Sequence, residues 1–301
     1  MPSPRSLYVF PPAYSLQNPA ERARVERNAR ALCSALNWTP VFSPLLDRYP
    51  GPGAWTDVGE RNAELRAALE HDAIWACRGG FGSIHLVPEL LAQPVAHSTL
   101  LIGYSDVTVL HACWRNQQRG RGIYSSLPDA LENSRTGASL LTLLRGEPWR
   151  RDANADASTR VLRPGNATGV SFAACTTVLA ALNGTPAAPN LDGTILFLED
   201  IDERPYKIDF ALNTLYLAGK LQGVRALIGG SFKHQNPSDY WGPSLEDILQ
   251  NWGARLQIPV LARLPFGHWD DPLAVPIGVR MELTAVSDKD WCVRACEPLT
   301  A

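Results

Sequence analysis

The sequence predicts an α/β protein in which an N-terminal open parallel sheet flanked by helices is followed by a second mixed α/β domain. Three observations carry this expectation. Short, mostly apolar runs recur at 7–10, 73–77 and 99–104, separated by stretches with helical periodicity. Between Glu147 and Gly165 that pattern gives way to Arg, Asp, Asn, Ala and Ser. Beyond it, strand-like and helix-like segments resume in a less regular order. Strands that are apolar on both faces belong to parallel sheets covered by helices on two sides. A chain of 301 residues is long enough for two cores. The expected division is residues 1–146, a connection at 147–165, and a C-terminal domain at 166–301.

The elements follow in order. Leu7-Tyr8-Val9-Phe10 is a strand stopped by Pro11 and Pro12. A helix runs from Pro19 to Leu36, with Ala23, Val25, Ala29, Leu32, Cys33 and Leu36 on one face. Asn18 can cap it, and Pro19 lacks the N–H that a helix start leaves unsatisfied. A second strand is expected at Val41–Phe42, then a Pro/Gly-rich loop at 49–53 and a helix from near Thr56 to Leu69. Ala73–Cys77 is a strand ending in the loop Arg78-Gly79-Gly80-Phe81-Gly82-Ser83. Thr99–Tyr104 is another strand, and Val107–Gln118 is a helix. In the second half, helices are expected at 176–183, 208–219 and 245–256, and strands at 194–198, 224–229 and 260–264. Val275–Leu283 is expected to pair as a terminal hairpin partner.

Composition narrows the function classes. Hydrophobic residues make up 45% and charged residues 19%, which excludes a disordered chain. The 28 Lys and Arg against 30 Asp and Glu give a net charge of -2 with no long basic run, so nucleic acid is not an expected partner. No run of about 18 apolar residues supports a membrane span. The first segment reads as a strand and its loop rather than an export signal, so a cytoplasmic location is the expectation. Six cysteines without paired CxxC clusters suggest neither a disulfide scaffold nor a zinc ribbon.

Open parallel sheets bind ligands beyond the carboxyl ends of their strands, so reactive side chains at those ends are the candidates. Ser105 follows the strand Leu101-Ile102-Gly103-Tyr104 and immediately precedes a helix, as in a nucleophile elbow that projects Oγ upward. Val107 stands where the second glycine of that motif usually sits, and Ser105 and Asp106 also read as competing N-caps. The glycine loop 79–82 allows close backbone approach and exposed N–H groups, as an oxyanion site requires, or is simply a tight turn. It is neither a dinucleotide fingerprint nor a Walker loop. Glu199 ends a strand and could orient His268, in the loop Leu264-Pro265-Phe266-Gly267-His268-Trp269, to take a proton from a serine. Glu199 also reads as a solvated strand-end charge among Asp200, Asp202 and Glu203. Of the other histidines, His111 is expected to be packed and His234 is a weaker alternative base. No HExxH is present, and His268 with Asp270 and Asp271 is too generic for a metal site. The acids 199–203 as a magnesium site are a distant alternative.

Four segments together resemble the LD-carboxypeptidases, serine peptidases of the murein tetrapeptide carboxypeptidase type grouped with the microcin C self-immunity enzymes. They are Arg-Gly-Gly-Phe-Gly at 78–82, Ile-Gly-Tyr-Ser-Asp-Val-Thr at 102–108, the 191–200 strand with Glu203, Tyr206 and Asp209 after it, and Leu-Pro-Phe-Gly-His closed by Val-Pro-Ile-Gly. The resemblance implies Ser105 as nucleophile, His268 as general base, Glu199 as its orienting acid, and the backbone N–H groups of Gly80 and Asp106 as the oxyanion hole. It implies no cofactor, a small peptide or muropeptide substrate, and a homodimer. Arg78 is a candidate for the free C-terminal carboxylate of the substrate, with Arg204 and Arg263 as alternatives.

Two departures bear on the substrate. A His-Gly-Pro stretch usual in the murein enzymes is replaced by Tyr124-Ser125-Ser126-Leu127-Pro128, and a Gly-Gly-Asn-Leu segment by Val170-Ser171-Phe172-Ala173-Ala174. Both regions are expected to line the cleft. They motivate a second reading, hydrolysis of a peptidyl- or aminoacyl-nucleotide, with Trp241, Trp252 or Trp269 as aromatic walls. A non-catalytic relative is a third.

Overall fold

The computed structural model describes residues 4–49, 57–127, 131, 133–233 and 240–299. In the first half the chain runs β1 (Ser6–Phe10), α1 (Pro19–Leu36), β2 (Thr39–Phe42), α2 (Val58–Ala68), β3 (Ala73–Ala76), α3 (Val87–Ala92), β4 (Leu100–Gly103), α4 (Thr108–Asn116), β5 (Gly122–Tyr124) and α5 (Arg135–Leu144). The second half runs β6 (Arg150–Asp152), β7 (Arg160–Arg163), β8 (Gly165–Cys175), α6 (Thr176–Ala181), β9 (Thr194–Ile201), α7 (Pro205–Leu217), β10 (Ala226–Lys233), α8 (Leu245–Leu256), β11 (Val260–Ala262), β12 (Val275–Ile277), β13 (Arg280–Ser287) and β14 (Asp290–Ala295).

Two sheets result. The first has the order β12-β5-β4-β3-β1-β2, with β1 to β5 mutually parallel and β12 antiparallel on the edge. The second has the order β6-β14-β13-β8-β9-β10-β11-β7, with β8 to β11 parallel in its centre and antiparallel strands outside. β6 and β7 form within 147–165 and join the second sheet. The segment 275–283 divides between the sheets. Val275–Ile277 pairs with β5, and after Gly278 (φ 81) the chain enters the β13–β14 hairpin. No helix of the described residues is long and apolar enough to cross a membrane.

Local chemistry accounts for the boundaries. The Asn18 side chain accepts the Glu21 N–H at 2.9 Å, Pro19 opens α1, and Asn37 closes it in the left-handed region (φ 54). Val25, Asn28, Ala29, Leu32 and Cys33 are the buried residues of α1, while Ala23 is exposed. The expected start of α2 near Thr56 lies outside the described residues; Asp57 caps the helix, accepting from Gly59 and Glu60. The central strands are buried along their full length, as parallel strands under two helical layers must be.

The helix after the elbow carries a buried polar group. His111 gives one ring nitrogen to the Gly103 carbonyl at 3.0 Å, and burial pushes its pKa down to about 4. Protons therefore bind the unfolded chain below about pH 6.5 but not the native one until about pH 4, so stability is full above this window and falls as pH drops through it. The expected loss is about 3 kcal/mol. Urea unfolding at pH 7 and pH 4.5 checks it, and His111→Gln is expected to flatten the difference.

Candidate active site

The elbow forms because β4 ends in a residue without a side chain. A Cβ on Gly103 would lie 2.7 Å from Val107 Cγ1 and 3.0 Å from Ala76 Cβ, so the glycine makes room for the valine that replaces the second glycine of the motif. Val107 is fully buried there. Ser105 stands at φ 62, a left-handed conformation that costs a non-glycine residue on the order of 1–3 kcal/mol and marks functional turns. Neither Ser105 nor Asp106 caps α4 by its side chain. The buried Asp106 carboxylate instead accepts the Ser83 N–H at 2.9 Å, tying the elbow to the segment after the glycine loop.

That loop lies against the serine. A Cβ on Gly79 would sit 3.4 Å from Ser105 Cβ and 3.7 Å from its Oγ. Gly80 (φ 103) packs so closely under Tyr14 that a Cβ would overlap the ring at 2.0 Å. The Tyr14 N–H donates to the Gly79 carbonyl at 3.2 Å, and its ring meets Phe81 edge-on at 4.5 Å.

Glu199 and His268 come from the other half. Glu199 is fully buried near the end of β9, and its Oε2 accepts both the His268 N–H at 3.1 Å and His268 Nδ1 at 2.7 Å. A carboxylate acceptor there requires Nδ1 to carry the proton, which leaves Nε2 as the ring's basic nitrogen. Gly267 (φ 79) permits the approach, since a Cβ would lie 2.5 Å from Glu199 Oε2. The His268 ring packs beside Tyr104, the residue before the serine, with centroids 5.1 Å apart. Burial, then the Glu199 charge, raise the Tyr104 pKa.

Ser105, Gly80 and His268 open into one cleft of about 610 Å³, lined also by Tyr14, Glu21, Arg24, Arg78 and Asp270. The structure thus brings together the serine, the imidazole, the acid and the glycine loop. Arg78 also faces the cleft, with its guanidinium given to Glu21 at 2.8 Å. Arg204 and Arg263 are not among the lining residues, and Arg263 pairs with Glu246.

Other expected residues fall elsewhere. Ser126 and Leu127 line the cleft, whereas Pro128 lies outside the described residues. The 170–174 segment does not line it. It is part of β8, where the Ser171 hydroxyl donates to the Val279 carbonyl and accepts the Val279 N–H, both at 3.1 Å. Trp252 is buried with its N–H on Asp209, Trp241 is exposed, and Trp269 lines a separate cleft beside Arg263, so none walls this one. His234 is outside the described residues. Asp200 turns away from Glu199 to accept the Thr177 N–H at 2.8 Å and the Cys175 thiol at 3.3 Å, and burial raises its pKa. Asp271 caps α5 by accepting the Arg135 and Thr136 N–H groups, and Asp270 pairs with Lys233 at 2.7 Å.

Sequence reasoning missed the part played by Tyr124. Its hydroxyl is 2.6 Å from Glu199 Oε1 and accepts the Ser105 N–H at 3.0 Å. The only trace of it in the sequence is an aromatic residue ending a three-residue apolar strand.

Known proteins share this arrangement of segments. Models of the LD-carboxypeptidase N-terminal and C-terminal domains match residues 8–125 and 168–283. A Streptomyces coelicolor protein carrying a provisional carboxypeptidase name is 34% identical over 82% of this chain and 81% of its own. Among solved structures, an MccF-like protein from Bacillus anthracis superposes with a TM-score of 0.80 at 19% identity, covering 99% of this chain and 98% of its own. Muramoyltetrapeptide carboxypeptidase from Oxalobacter formigenes gives 0.76 at 23% identity, covering 97% and 100%. With both domain models matched in order and a relative this similar across four fifths of its length, the chain belongs to the LD-carboxypeptidase family and is an enzyme of that family.

Proposed function

We propose that this enzyme is a serine L,D-carboxypeptidase that releases the terminal D-alanine of a murein tetrapeptide, with Ser105 as nucleophile, His268 as general base and Glu199 as the acid that orients it. The observation that carries the reading is the buried Glu199–His268 pair opening onto the same cleft as a serine held at positive φ. The family membership supports it, and by the same resemblance the enzyme works as a homodimer; a cytoplasmic location belongs to the same proposal.

In the first step the Ser105 Oγ–H proton passes to His268 Nε2 as Oγ bonds to the peptide carbonyl carbon. Backbone N–H groups of Gly80 and Asp106 receive the oxyanion, and each such donor is worth about 3 kcal/mol in the transition state. Collapse breaks the C–N bond, and the imidazolium proton leaves with the amine. Water then adds to the acyl-serine, giving its proton to His268, and the ester bond breaks with return of that proton to Ser105. Charged and hydroxyl groups beside the serine suit a peptide bearing carboxylate and ammonium groups. Trp241, Trp252 and Trp269, the aromatic walls of a nucleotide reading, lie elsewhere.

Side-by-side assays test the substrate. Release of D-alanine from the tetrapeptide is expected with a kcat/KM at least about tenfold above hydrolysis of an aminoacyl-nucleotide analogue, because polar contacts unmet by the wrong ligand each cost about 1–3 kcal/mol. Hydrolysis of the nucleotide analogue alone would transfer the assignment to that class.

A further inference from the structure

We propose that Tyr124 is a positioning residue that couples the catalytic acid to the backbone of the nucleophile. This rests on the serine-hydrolase reading above and extends it to a side chain outside the Ser-His-Glu set. The direction of the two hydrogen bonds follows from their chemistry. The Ser105 N–H can only donate, so the Tyr124 oxygen accepts it at 3.0 Å. The hydroxyl proton is then available to Glu199 Oε1 at 2.6 Å, within the range of a charge-assisted O–H···O contact. A continuous path results: Ser105 N–H to Tyr124, Tyr124 to one carboxylate oxygen, and the other carboxylate oxygen to His268 Nδ1.

The ring is built to hold that position. Tyr124 is fully buried at the end of β5, directly across from Gly103 in the β4–β5 register. Its faces and edges meet Tyr104 at 6.2 Å and Phe266 at 6.4 Å, so it touches both the elbow and the loop carrying His268. Burial, then the nearby Glu199 charge, push its pKa well up, and it remains a donor throughout the working range. The titratable groups around it are Glu199 on β9, Cys175 at the end of β8, Tyr104 before the serine and His111 on α4.

Three consequences follow. The Ser105 N–H is occupied, which leaves the oxyanion to the Gly80 and Asp106 amides. Glu199 is also held by both of its oxygens, so the carboxylate has no freedom to rotate away from the imidazole. Because the Tyr124 donor draws negative charge toward Oε1, it also moderates the pull of Glu199 on His268.

Tyr124→Phe keeps the ring and removes the hydroxyl. Its kcat is expected to fall about 10- to 100-fold with KM within about twofold, and the acid limb of kcat/KM to move to higher pH as the unmoderated carboxylate holds the imidazolium more firmly. Incorporation of 3,5-difluorotyrosine at position 124 barely alters packing and strengthens the donor, and it is expected to move the limb to lower pH. Labelling of Ser105 by a fluorophosphonate should slow in Tyr124→Phe in proportion to kcat. A parental limb in both proteins overturns the proposal. So does a fall in kcat matched by loss of folded protein with the limb unmoved. Should Tyr124→Phe not fold, the fluorinated protein alone decides. Ser105→Ala, run in parallel, separates the two readings. Activity retained there sinks the serine mechanism itself, whereas an inactive Ser105→Ala beside a parental Tyr124→Phe sinks only the role of Tyr124.

Discussion

Ser105→Ala is expected to lower kcat by about 10⁴-fold or more while the protein folds as before. The side chain is small, half-exposed to the cleft and not used as a helix cap, so removing Oγ leaves no buried polar group unpaired. The φ of 62 is no harder for alanine than for serine, and thermal unfolding should shift by no more than a degree or two. What disappears is the atom proposed to bond to the carbonyl carbon. A serine-directed phosphonate provides an independent measure. Mass spectrometry should place one adduct on Ser105 in the parent and none on the variant. Turnover retained by Ser105→Ala, or an adduct on another residue, would end the assignment.

The second large effect is expected from Glu199→Gln, at about 10³- to 10⁴-fold in kcat. The carboxylate faces three donors, the Tyr124 hydroxyl and the N–H and Nδ1 of His268. An amide of the same shape has one acceptor oxygen and one NH₂ group. If the oxygen faces His268, the NH₂ meets the Tyr124 hydroxyl and forces it to reorient. If the NH₂ faces His268, the imidazole must turn its proton to Nε2, the nitrogen that should take the serine proton. Either arrangement also removes the charge that stabilises the imidazolium. Nitrogen-detected NMR of His268 would show the tautomer change, and steady-state kinetics the loss. Kinetics within tenfold of the parent would show that Glu199 is not the orienting acid.

These predictions draw unequally on local pattern and on tertiary contact. The parallel strands β1, β3, β4, β9, β10 and β11 are legible because their apolar runs are short and complete, and α1 because Asn18, Pro19 and a 3.6-residue stripe agree; β8 is not, its first half being polar and only partly buried. β5 was missed because three residues with one glycine carry no periodicity. Val275–Ile277 leaves the expected hairpin and pairs with β5, a pairing across about 150 residues that leaves no local mark. Ser105 was visible from its strand-to-helix setting, but the reason Val107 is tolerated beside it lies in the missing Cβ of Gly103. The family resemblance points the 170–174 segment at the cleft, but its strand packs inside the second sheet.

Residue order alone determined the two α/β halves and named a serine, an acid, a histidine and a glycine loop, since periodicity and turn chemistry are properties of neighbours in the chain. Only the tertiary structure decided which carboxylate meets the imidazole, that Arg78 shares its charge with Glu21, and that a buried tyrosine joins the acid to the elbow. The longest of these contacts, Tyr124 to Glu199, spans 75 residues. They depend on strand register and side-chain direction, quantities that arise when the two sheets pack and have no counterpart in local sequence.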